Sequence, residues 1–523
     1  MAIIRVPNCG SVGVVQDLSQ HELPINAWTD AKNIRFLDGY CNQFLGHSRV
    51  YGTPSVIPYH VLPVIVGDDR YWLYASDKKI YATSIIASVL THTNLTRQSA
   101  GVDVDYSALP NQWTSTVIGG IPILNAGNVA DYPLQWDLNI ANRAKNLDNW
   151  PANTYCKAMR PFRSFLVALN ITKSTTNYPY MVKWSHPAVP GSVPSSWDET
   201  DPTLDAGEFD LADGYDHVID GLQLRDSLMV YKQNSVWRMD YTGGAFVQRV
   251  SKVLGMSGAM NRNCIAEIDG FHIVLTNNDI VIHDGMQASS ILDKRTRRWL
   301  FQNINVEFND RCFVFKNTFF NEVFFCFPTI GASIPDSAIV YNYVDKTISK
   351  RDLPNVHHAA SGQISDGLSS PWDVDLADWD SDLTFWNTPD FVTNVSRVIM
   401  GSADTKLYAL DSYQTFDGVP PQSYLERSGL SFDASERNKL ITGIRPRITG
   451  NNGETVLIKI GGNDTDPYAA PTYNETMTHV IGTTVRNNCL NSNRYHAIRF
   501  ENGTAMQWRL DSYDLEIEDN GEW

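Results

Sequence analysis

The segment WLYASDKKIYA (residues 72–82) carries the pattern that decides the fold, two apolar runs joined by a short polar turn. Close copies are LMVYKQNSVWRM (228–239), IVLTNNDIVIH (273–283) and VIMGSADTKLYAL (398–410), and looser copies occur at 33–44, 116–124, 313–327 and 339–349. A repeat about every 40 to 50 residues is typical of radially arranged β-sheets. It predicts an all-β chain folded as a β-propeller of about six to eight blades. A multi-sheet β protein without radial repetition is the alternative.

The composition supports strands and suggests a second domain. The 523 residues include 14 Trp, 23 Tyr and 21 Phe, which favour strands, and no helical periodicity is sustained. The composition changes at Pro420-Pro421, after which short runs alternate apolar and polar residues. We therefore expect an N-terminal extended segment (1–32), a propeller (33–418) and a C-terminal β-sandwich (419–523).

An Asp38-Gly39 pair between two strand-like runs is the clearest hairpin signal in the chain. A tight type I′ turn needs positive φ at both central positions, and Asp-Gly tolerates this well. The pattern predicts a hairpin over residues 33–44, and we place it in the first blade.

The acidic excess lies in two blocks. The chain has 42 basic and 58 acidic residues, a net charge of −16. Residues 187–221 hold nine acids and residues 352–396 hold eight, and neither block contains Lys or Arg. We expect both blocks to be loops inserted between blades. A protein that grips nucleic acid would show the opposite sign of charge.

The sequence offers no recognisable catalytic or cofactor motif. It lacks a nucleotide-binding glycine pattern and a Gly-x-Ser-x-Gly elbow. The seven cysteines are irregularly spaced without a Cys-x-x-Cys pair, which argues against a disulfide framework or structural zinc. We expect His357-His358 to be a solvated loop pair. The start of the chain does not resemble a secretory signal, so we expect synthesis in a reducing cytoplasm.

Three readings of the acidic and basic clusters stay open. The second acidic block could bind calcium, although it lacks the glycine and glutamate of a helix-loop-helix site. With Trp372, Trp379 and Trp386 it could instead bind or cleave glycan. The basic cluster Lys294, Arg295, Arg297 and Arg298 could contact phosphate or an acidic block of a neighbouring copy. The simplest reading of each is a solvated loop or turn.

Several phrases together resemble the tail nozzle (hub) proteins of short-tailed bacteriophages, also called tail tubular protein B. They are LPINAWTDAKNIRFLDGYCNQFLGH (23–47), GLQLRDSLMVYKQNSVWRMDYTGG (221–244), HIVLTNNDIVIHDG (272–285) with KRTRRWLF (294–301), and the terminal YLERSGLSF, NRYHAIRF and WRLDSYDLEIE. The match covers most of the chain in scattered blocks, and the two acidic blocks lie outside it.

The resemblance implies a structural virion protein rather than an enzyme, with no cofactor. Members form a hexameric ring below the adaptor (head-to-tail connector) ring and surround the channel through which the genome leaves. The implied partners are the adaptor, tail fibres or tailspikes, double-stranded DNA passing without specific binding, and the host envelope. The implied location is the virion tail, after synthesis in the bacterial cytoplasm.

Two site predictions follow from this role. An acidic lumen would let DNA slide, so at least one acidic block should face the channel. The candidates are Asp198, Glu199, Asp201, Asp205, Asp373, Asp375, Asp378, Asp380 and Asp382. We expect Lys294, Arg295, Arg297 and Arg298 to lie at a subunit or adaptor contact. The alternatives are a propeller lectin or glycan-acting tail enzyme, and a monomeric binding propeller of cellular origin.

Overall fold

The computed structural model describes residues 2–16, 18–67, 69–86, 89–244, 246–364, 396–432, 436–504 and 506–522. Strands make up 53% of the chain and helices 3%, which confirms the all-β prediction. None of the helices in the described ranges has the length and apolar character needed to cross a membrane.

Five short strands open the chain. They are β1 (Ala2–Val6), β2 (Asp30–Lys32), β3 (Ile34–Leu37), β4 (Tyr40–Gln43) and β5 (His47–Val50). Asp38 and Gly39 turn the chain between β3 and β4 with φ of +54° and +80°. The predicted hairpin is therefore confirmed as a local structure.

Seven four-stranded antiparallel sheets, the blades, follow in chain order. Blade 1 consists of β6 (His60–Val66), β7 (Asp69–Ala75), β8 (Ile80–Ile86) and β9 (Val89–Asn94), and a short hairpin of β10 (Gln98–Ser99) and β11 (Val102–Asp103) follows it. Blade 2 consists of β12 (Thr114–Ile118), β13 (Ile121–Asn125), β14 (Leu134–Gln135) and β15 (Lys145–Asn146). Blade 3 consists of β16 (Thr154–Phe162), β17 (Phe165–Lys173), β18 (Thr176–Trp184) and β19 (Gly207–Asp210). Blade 4 consists of β20 (Val218–Leu224), β21 (Ser227–Lys232), β22 (Ser235–Tyr241) and β23 (Gln248–Gly255). Blade 5 consists of β24 (Ile265–Ile268), β25 (Phe271–Leu275), β26 (Ile280–His283) and β27 (Ala288–Ser290).

Two helices separate blades 5 and 6, namely α1 (Lys294–Asn303) and a 3-10 helix (Val306–Arg311). Blade 6 consists of β28 (Phe313–Asn317), β29 (Glu322–Phe327), β30 (Ser337–Asn342) and β31 (Thr347–Asp352). Blade 7 contains β32 (Val356–Gln363), β33 (Ser396–Ser402) and β34 (Lys406–Leu410), and its fourth strand is β5 from the start of the chain.

The blades close into a ring, so the described residues form a seven-bladed propeller. The first strand of each blade is innermost, and first strands of successive blades contact one another, including β32 with β6. A separate hydrophobic cluster fills each of the seven interfaces between neighbouring blades. Because β5 pairs with β34, the N-terminal segment fastens the last blade. The upper face of the propeller is the side that carries two kinds of loop within each blade, those joining the first strand to the second and those joining the third strand to the fourth. The lower face is the opposite side.

A β-sandwich completes the molecule. Its C-terminal strands are β35 (Ser423–Leu430), β36 (Arg437–Thr449), β37 (Thr455–Asn463), β38 (Thr472–Val480), β39 (Asn487–Asn493), β40 (Tyr495–Asn502) and β41 (Arg509–Glu522). One sheet runs β3-β4-β41-β36-β39 with β1 also on β41, and the other runs β2-β35-β40-β37-β38. Trp28 from the N-terminal segment and Trp508 lie in the shared core, each 1% exposed.

Three expectations about the organisation are corrected. Residues 33–44 belong to the sandwich and not to a blade, because β4 pairs with β41 through Cys41 and Leu510. Residues 1–32 are not a simple extended segment, since β1 and β2 are strands of the two sandwich sheets. The first acidic block is not a single loop between blades, since it contains the β18–β19 loop of blade 3, β19, the connection to blade 4 and the start of β20. The described part of the second block lies in β31, β32 and the short connection between them. Residues 365–395 lie outside the described residues.

Candidate functional site: the domain junction, the propeller axis and the charged surfaces

A network of four buried charged side chains joins the sandwich to the propeller. Arg35 on β3 donates two hydrogen bonds to Glu322 of blade 6, at 2.6 and 2.9 Å. It also donates to Asp411 at 2.7 Å, just after β34 of blade 7. Arg351 on β31 donates to the other oxygen of Asp411 at 2.7 Å. The four side chains are 0 to 6% exposed, so the pairs are shielded from solvent.

The network is electrically balanced and its two carboxyls are not equivalent. Burial opposes ionisation of Asp411, but Arg35 and Arg351 overcome it and lower the pKa of that carboxyl. Burial raises the pKa of Glu322, which has a single guanidinium partner, Arg35. Removing one member of such a buried network leaves an uncompensated charge, so the network fixes the sandwich against blades 6 and 7.

Further polar contacts surround the network where the chain passes between the domains. Arg351 donates to the carbonyl oxygens of Leu45 and Gly46, the residues that connect the sandwich to β5. Asn33 has φ of +54°, and its side chain donates to Asp352 at 3.0 Å. The outer edge of blade 6 is thus covered by the sandwich, which protects a strand edge that could otherwise pair with another chain.

Polar side chains from different blades cross the axis of the propeller. Arg160 on β16 forms two hydrogen bonds of 2.7 Å with Asp220 on β20, which is 1% exposed. Arg160 also donates to Asn263 of blade 5, and Asn263 donates to Asn111 of blade 2 at 3.1 Å. Asn111 in turn donates to Cys312 O of blade 6 at 2.9 Å. Since the Asn263 and Asn111 side chains meet across the axis and Asn111 also reaches the backbone of Cys312, the axis is closed to DNA.

Buried histidines complete the axial region, and they correct one prediction. His357 and His358 do not form a solvated loop pair, because they lie on β32, the innermost strand of blade 7. The ring of His358 lies 4.0 Å from the ring of His60 in blade 1, and His60 forms a 2.7 Å hydrogen bond with Ser115. Burial lowers the pKa of His358 to about 3 and that of His357 to about 4.

Some acids of the first acidic block form ion pairs with lysines of the propeller. Glu199 pairs with the buried Lys183, and Glu208 pairs with Lys173 at 2.7 Å, so these two acids neutralise lysines of blade 3. Asp205 holds the loop through its carbonyl oxygen, which accepts a hydrogen bond from the Trp184 indole at 2.8 Å. Its position in the β18–β19 loop places the block on the upper face at the outer part of blade 3.

In Asp198 and Asp201, one carboxylate oxygen is fixed by hydrogen bonds within the loop. Oδ1 of Asp198 accepts from the amide and hydroxyl of Thr200, at 2.9 and 2.7 Å. Oδ1 of Asp201 accepts from Thr203 in the same way, at 2.9 and 2.7 Å. These hydrogen bonds lower the pKa of both carboxyls, which therefore carry full negative charge near neutral pH.

The remaining acidic candidates fall outside the described residues. They are Asp373, Asp375, Asp378, Asp380 and Asp382, together with the three tryptophans of the same block. Their predicted roles at a channel, at calcium or at glycan stay predictions.

The basic cluster lies on α1, on the lower face between blades 5 and 6. Asp293 caps the helix by accepting from the Thr296 amide at 2.6 Å. Arg297 pairs with Asp279 at 3.0 Å, and the Arg295 guanidinium lies 5.7 Å from the centre of the Tyr468 ring in the sandwich. The helix therefore bridges the two domains.

The sequence did not single out the junction residues. Arg35 stands in a strand-like phrase, IRFL, and Glu322 opens another, EVFFCF. The available signal is a charged residue inside an apolar run, since such residues are rarely buried without a partner. The partners are up to 376 positions apart, so the pairing itself has no local signal.

Comparisons with known proteins add few constraints. No known protein family matches the chain, and no curated protein matches it. Among solved structures, the WD40 domain of Toxoplasma gondii coronin is 8% identical with a TM-score of 0.37, covering 73% of this chain and 92% of that domain. The WD40 domain of Neurospora crassa Pan2 is 8% identical with a TM-score of 0.34, covering 70% and 94%.

A third similar structure is the extracellular domain of a one-component system from B. thetaiotaomicron, 9% identical with a TM-score of 0.30. The match covers 59% of this chain, which spans only 40% of the length of that domain. The resemblance of the sequence to phage tail proteins is not tested by these comparisons and stays a prediction.

Proposed function

We propose that the chain is a structural subunit of a short phage tail, the nozzle or hub that forms a hexameric ring below the adaptor ring. The observation that best supports this role is the buried network of Arg35, Glu322, Asp411 and Arg351. It holds the sandwich on the rim of the propeller, so that the two domains form one stiff unit. A part that transmits load between adaptor and fibre during genome ejection needs such stiffness.

The closed propeller axis bears on where a channel would run. Because Arg160, Asn263 and Asn111 connect blades across the axis, DNA would pass between copies and not through each propeller. Heterologous contacts whose rotation closes produce a ring with such a central opening. At least one acidic block would line this opening. Because the acidic blocks contain no Lys or Arg, the lining would not bind the phosphates of the passing DNA.

The proposed partners are those of a tail component. The ring would contact the adaptor above, tail fibres or tailspikes at its side, the passing double-stranded DNA, and the host envelope at infection. The protein would be located in the virion tail and would have no enzymatic role of its own.

Sizing of the purified protein tests the proposal. A hexamer has a mass of about 350 kDa, six times 58.7 kDa, and mass photometry separates it clearly from the monomer. A protein that stays monomeric at all concentrations and turns over host polysaccharide would contradict the proposal and favour a glycan-acting propeller.

A further inference from the structure

The first turn of α1 carries positive charge where a helix least favours it. Lys294 and Arg295 occupy this turn, which contains no acidic residue. The N-terminus of a helix carries partial positive charge, so cations there are unfavourable unless they serve another contact. The adjacent acid, Asp293, accepts hydrogen bonds from the Thr296 amide, which it caps, and from the Gln16 amide at 3.3 Å.

Lys294 and Arg298 form no ion pair within the described part of the chain and are exposed. They are four positions apart on α1, so they lie on the same side of the helix. Arg297, in contrast, is paired with Asp279. The helix therefore presents two available cations side by side.

Tyr468 of the sandwich extends this cationic surface. Its ring stacks near Arg295, its hydroxyl donates to Ser19 at 2.6 Å, and the residue is still 49% exposed. Arg and Tyr are among the residue types enriched at protein interfaces, where each combines a large apolar area with hydrogen-bonding groups. We call Lys294, Arg295, Arg298 and Tyr468 the α1 patch.

The complementary surface occurs on the same chain. Asp198 and Asp201 each use Oδ1 for a threonine turn and keep Oδ2 without a hydrogen bond from any described residue. Their loop is anchored by Trp197, which is 2% exposed, so the two carboxylates are held in place before any partner binds. Preorganised charges lose little entropy on binding.

The α1 patch and the Asp198–Asp201 loop cannot contact each other within one molecule. They also cannot contact each other in a two-fold dimer in which each patch faces its own copy. The Asp198–Asp201 loop is on the upper face at blade 3, and the α1 patch is on the lower face between blades 5 and 6. A contact between them joins different surfaces of two copies, and such heterologous contacts either close into rings or continue as filaments.

We propose that the α1 patch binds the Asp198–Asp201 loop of a second copy of this chain. The inference builds on the proposed ring and names its subunit contact. It also assigns Asp198 and Asp201 to the contact between copies and not to the channel lining. Complementary charge across the contact would fix the register between copies.

Charge reversal on each side, measured by mass photometry at two salt concentrations, tests the contact. K294E/R298E and D198K/D201K should each raise the dissociation constant of the assembly by about tenfold or more. D198N/D201N, which can keep the threonine turns, should weaken it in the same direction. The matched control K78E/K346E reverses two exposed turn lysines elsewhere and should leave assembly unchanged.

The combined chain with all four charges swapped should recover assembly, because the attraction is restored with inverted signs. Failure of that recovery, or reversed chains that assemble as the wild type does, would overturn the contact while leaving the proposed ring intact. A K294E/R298E chain that assembles normally but loses affinity for adaptor or for DNA would likewise overturn it. A wild-type chain that never assembles would contradict both the contact and the proposed function.

Discussion

The buried junction predicts a large effect of a single substitution, Arg35→Met. The change removes three hydrogen bonds of 2.6, 2.9 and 2.7 Å from a side chain that is 4% exposed. Asp411 keeps Arg351, but Glu322 loses the donor that compensates its burial. Breaking a buried pair in this way costs about 3–5 kcal/mol.

Hydrogen exchange measured by mass spectrometry locates this cost. Amides of β3, β4 and the facing edge of blade 6 should exchange roughly 10²- to 5 × 10³-fold faster, since each 1.36 kcal/mol corresponds to about a factor of ten. The double variant Arg35→Met with Glu322→Gln should lose less than the single variant, because no unpaired buried charge remains next to the methionine.

Arg49→Met is the matched control. Arg49 also forms hydrogen bonds of 2.9 to 3.0 Å with a carboxylate, Asp417, but its side chain is 57% exposed. Exposed pairs contribute little, so this variant should exchange like the wild type. Equal effects of the two substitutions, or an Arg35→Met effect below about threefold, would refute the view that the junction holds the domains together.

Three further predictions concern buried polar groups of the propeller and the sandwich. The free energy of unfolding should fall as pH drops from 6.5 towards 4. Burial lowers the pKa of six histidines to between about 3 and 4, so the unfolded chain binds more protons than the folded chain in this range. Each histidine contributes up to about 1.4 kcal/mol per pH unit to this fall. The six histidines are His47, His272, His283, His357, His358 and His496. Urea titrations at several pH values measure the slope, and a flat profile would contradict it. Tyr231→Phe should cost about 1–3 kcal/mol in the same assay, because the hydroxyl is shared by His272 at 2.7 Å and His283 at 2.6 Å; an unchanged midpoint would show that water replaces it. Arg160→Met should cost about 3–5 kcal/mol by leaving Asp220 buried without its cation, and a loss below about 1 kcal/mol would argue against a structural role for the axial pair.

The repeated hairpin predicted the fold well because its signal is local. Residues 72–82, 228–239, 273–283 and 398–410 all form second and third strands of blades, where apolar alternation and turn chemistry operate over about ten residues. Seven blades fall within the predicted six to eight. The assignment of residues 33–44 to a blade was wrong because a hairpin signal does not report which sheet the hairpin joins, and β4 pairs with β41 more than 460 positions away.

The candidate site was less accessible from the sequence. The acidic blocks were visible as composition, but the neutralisation of Glu199 and Glu208 by Lys183 and Lys173 depends on strand register in blade 3. The same holds for His357 and His358, whose burial follows from the position of β32 at the axis. The first outcome depends on strand pairing within blade 3 and the second on the packing of blades around the axis, and no local pattern reports either.

Electron cryo-microscopy of the purified protein tests the proposed ring. We expect six-fold rings in which each copy is a seven-bladed propeller with its sandwich fixed on the rim, and in which the open channel lies between copies. Monomers without ring classes, or rings whose only opening runs through the propeller axis, would contradict it.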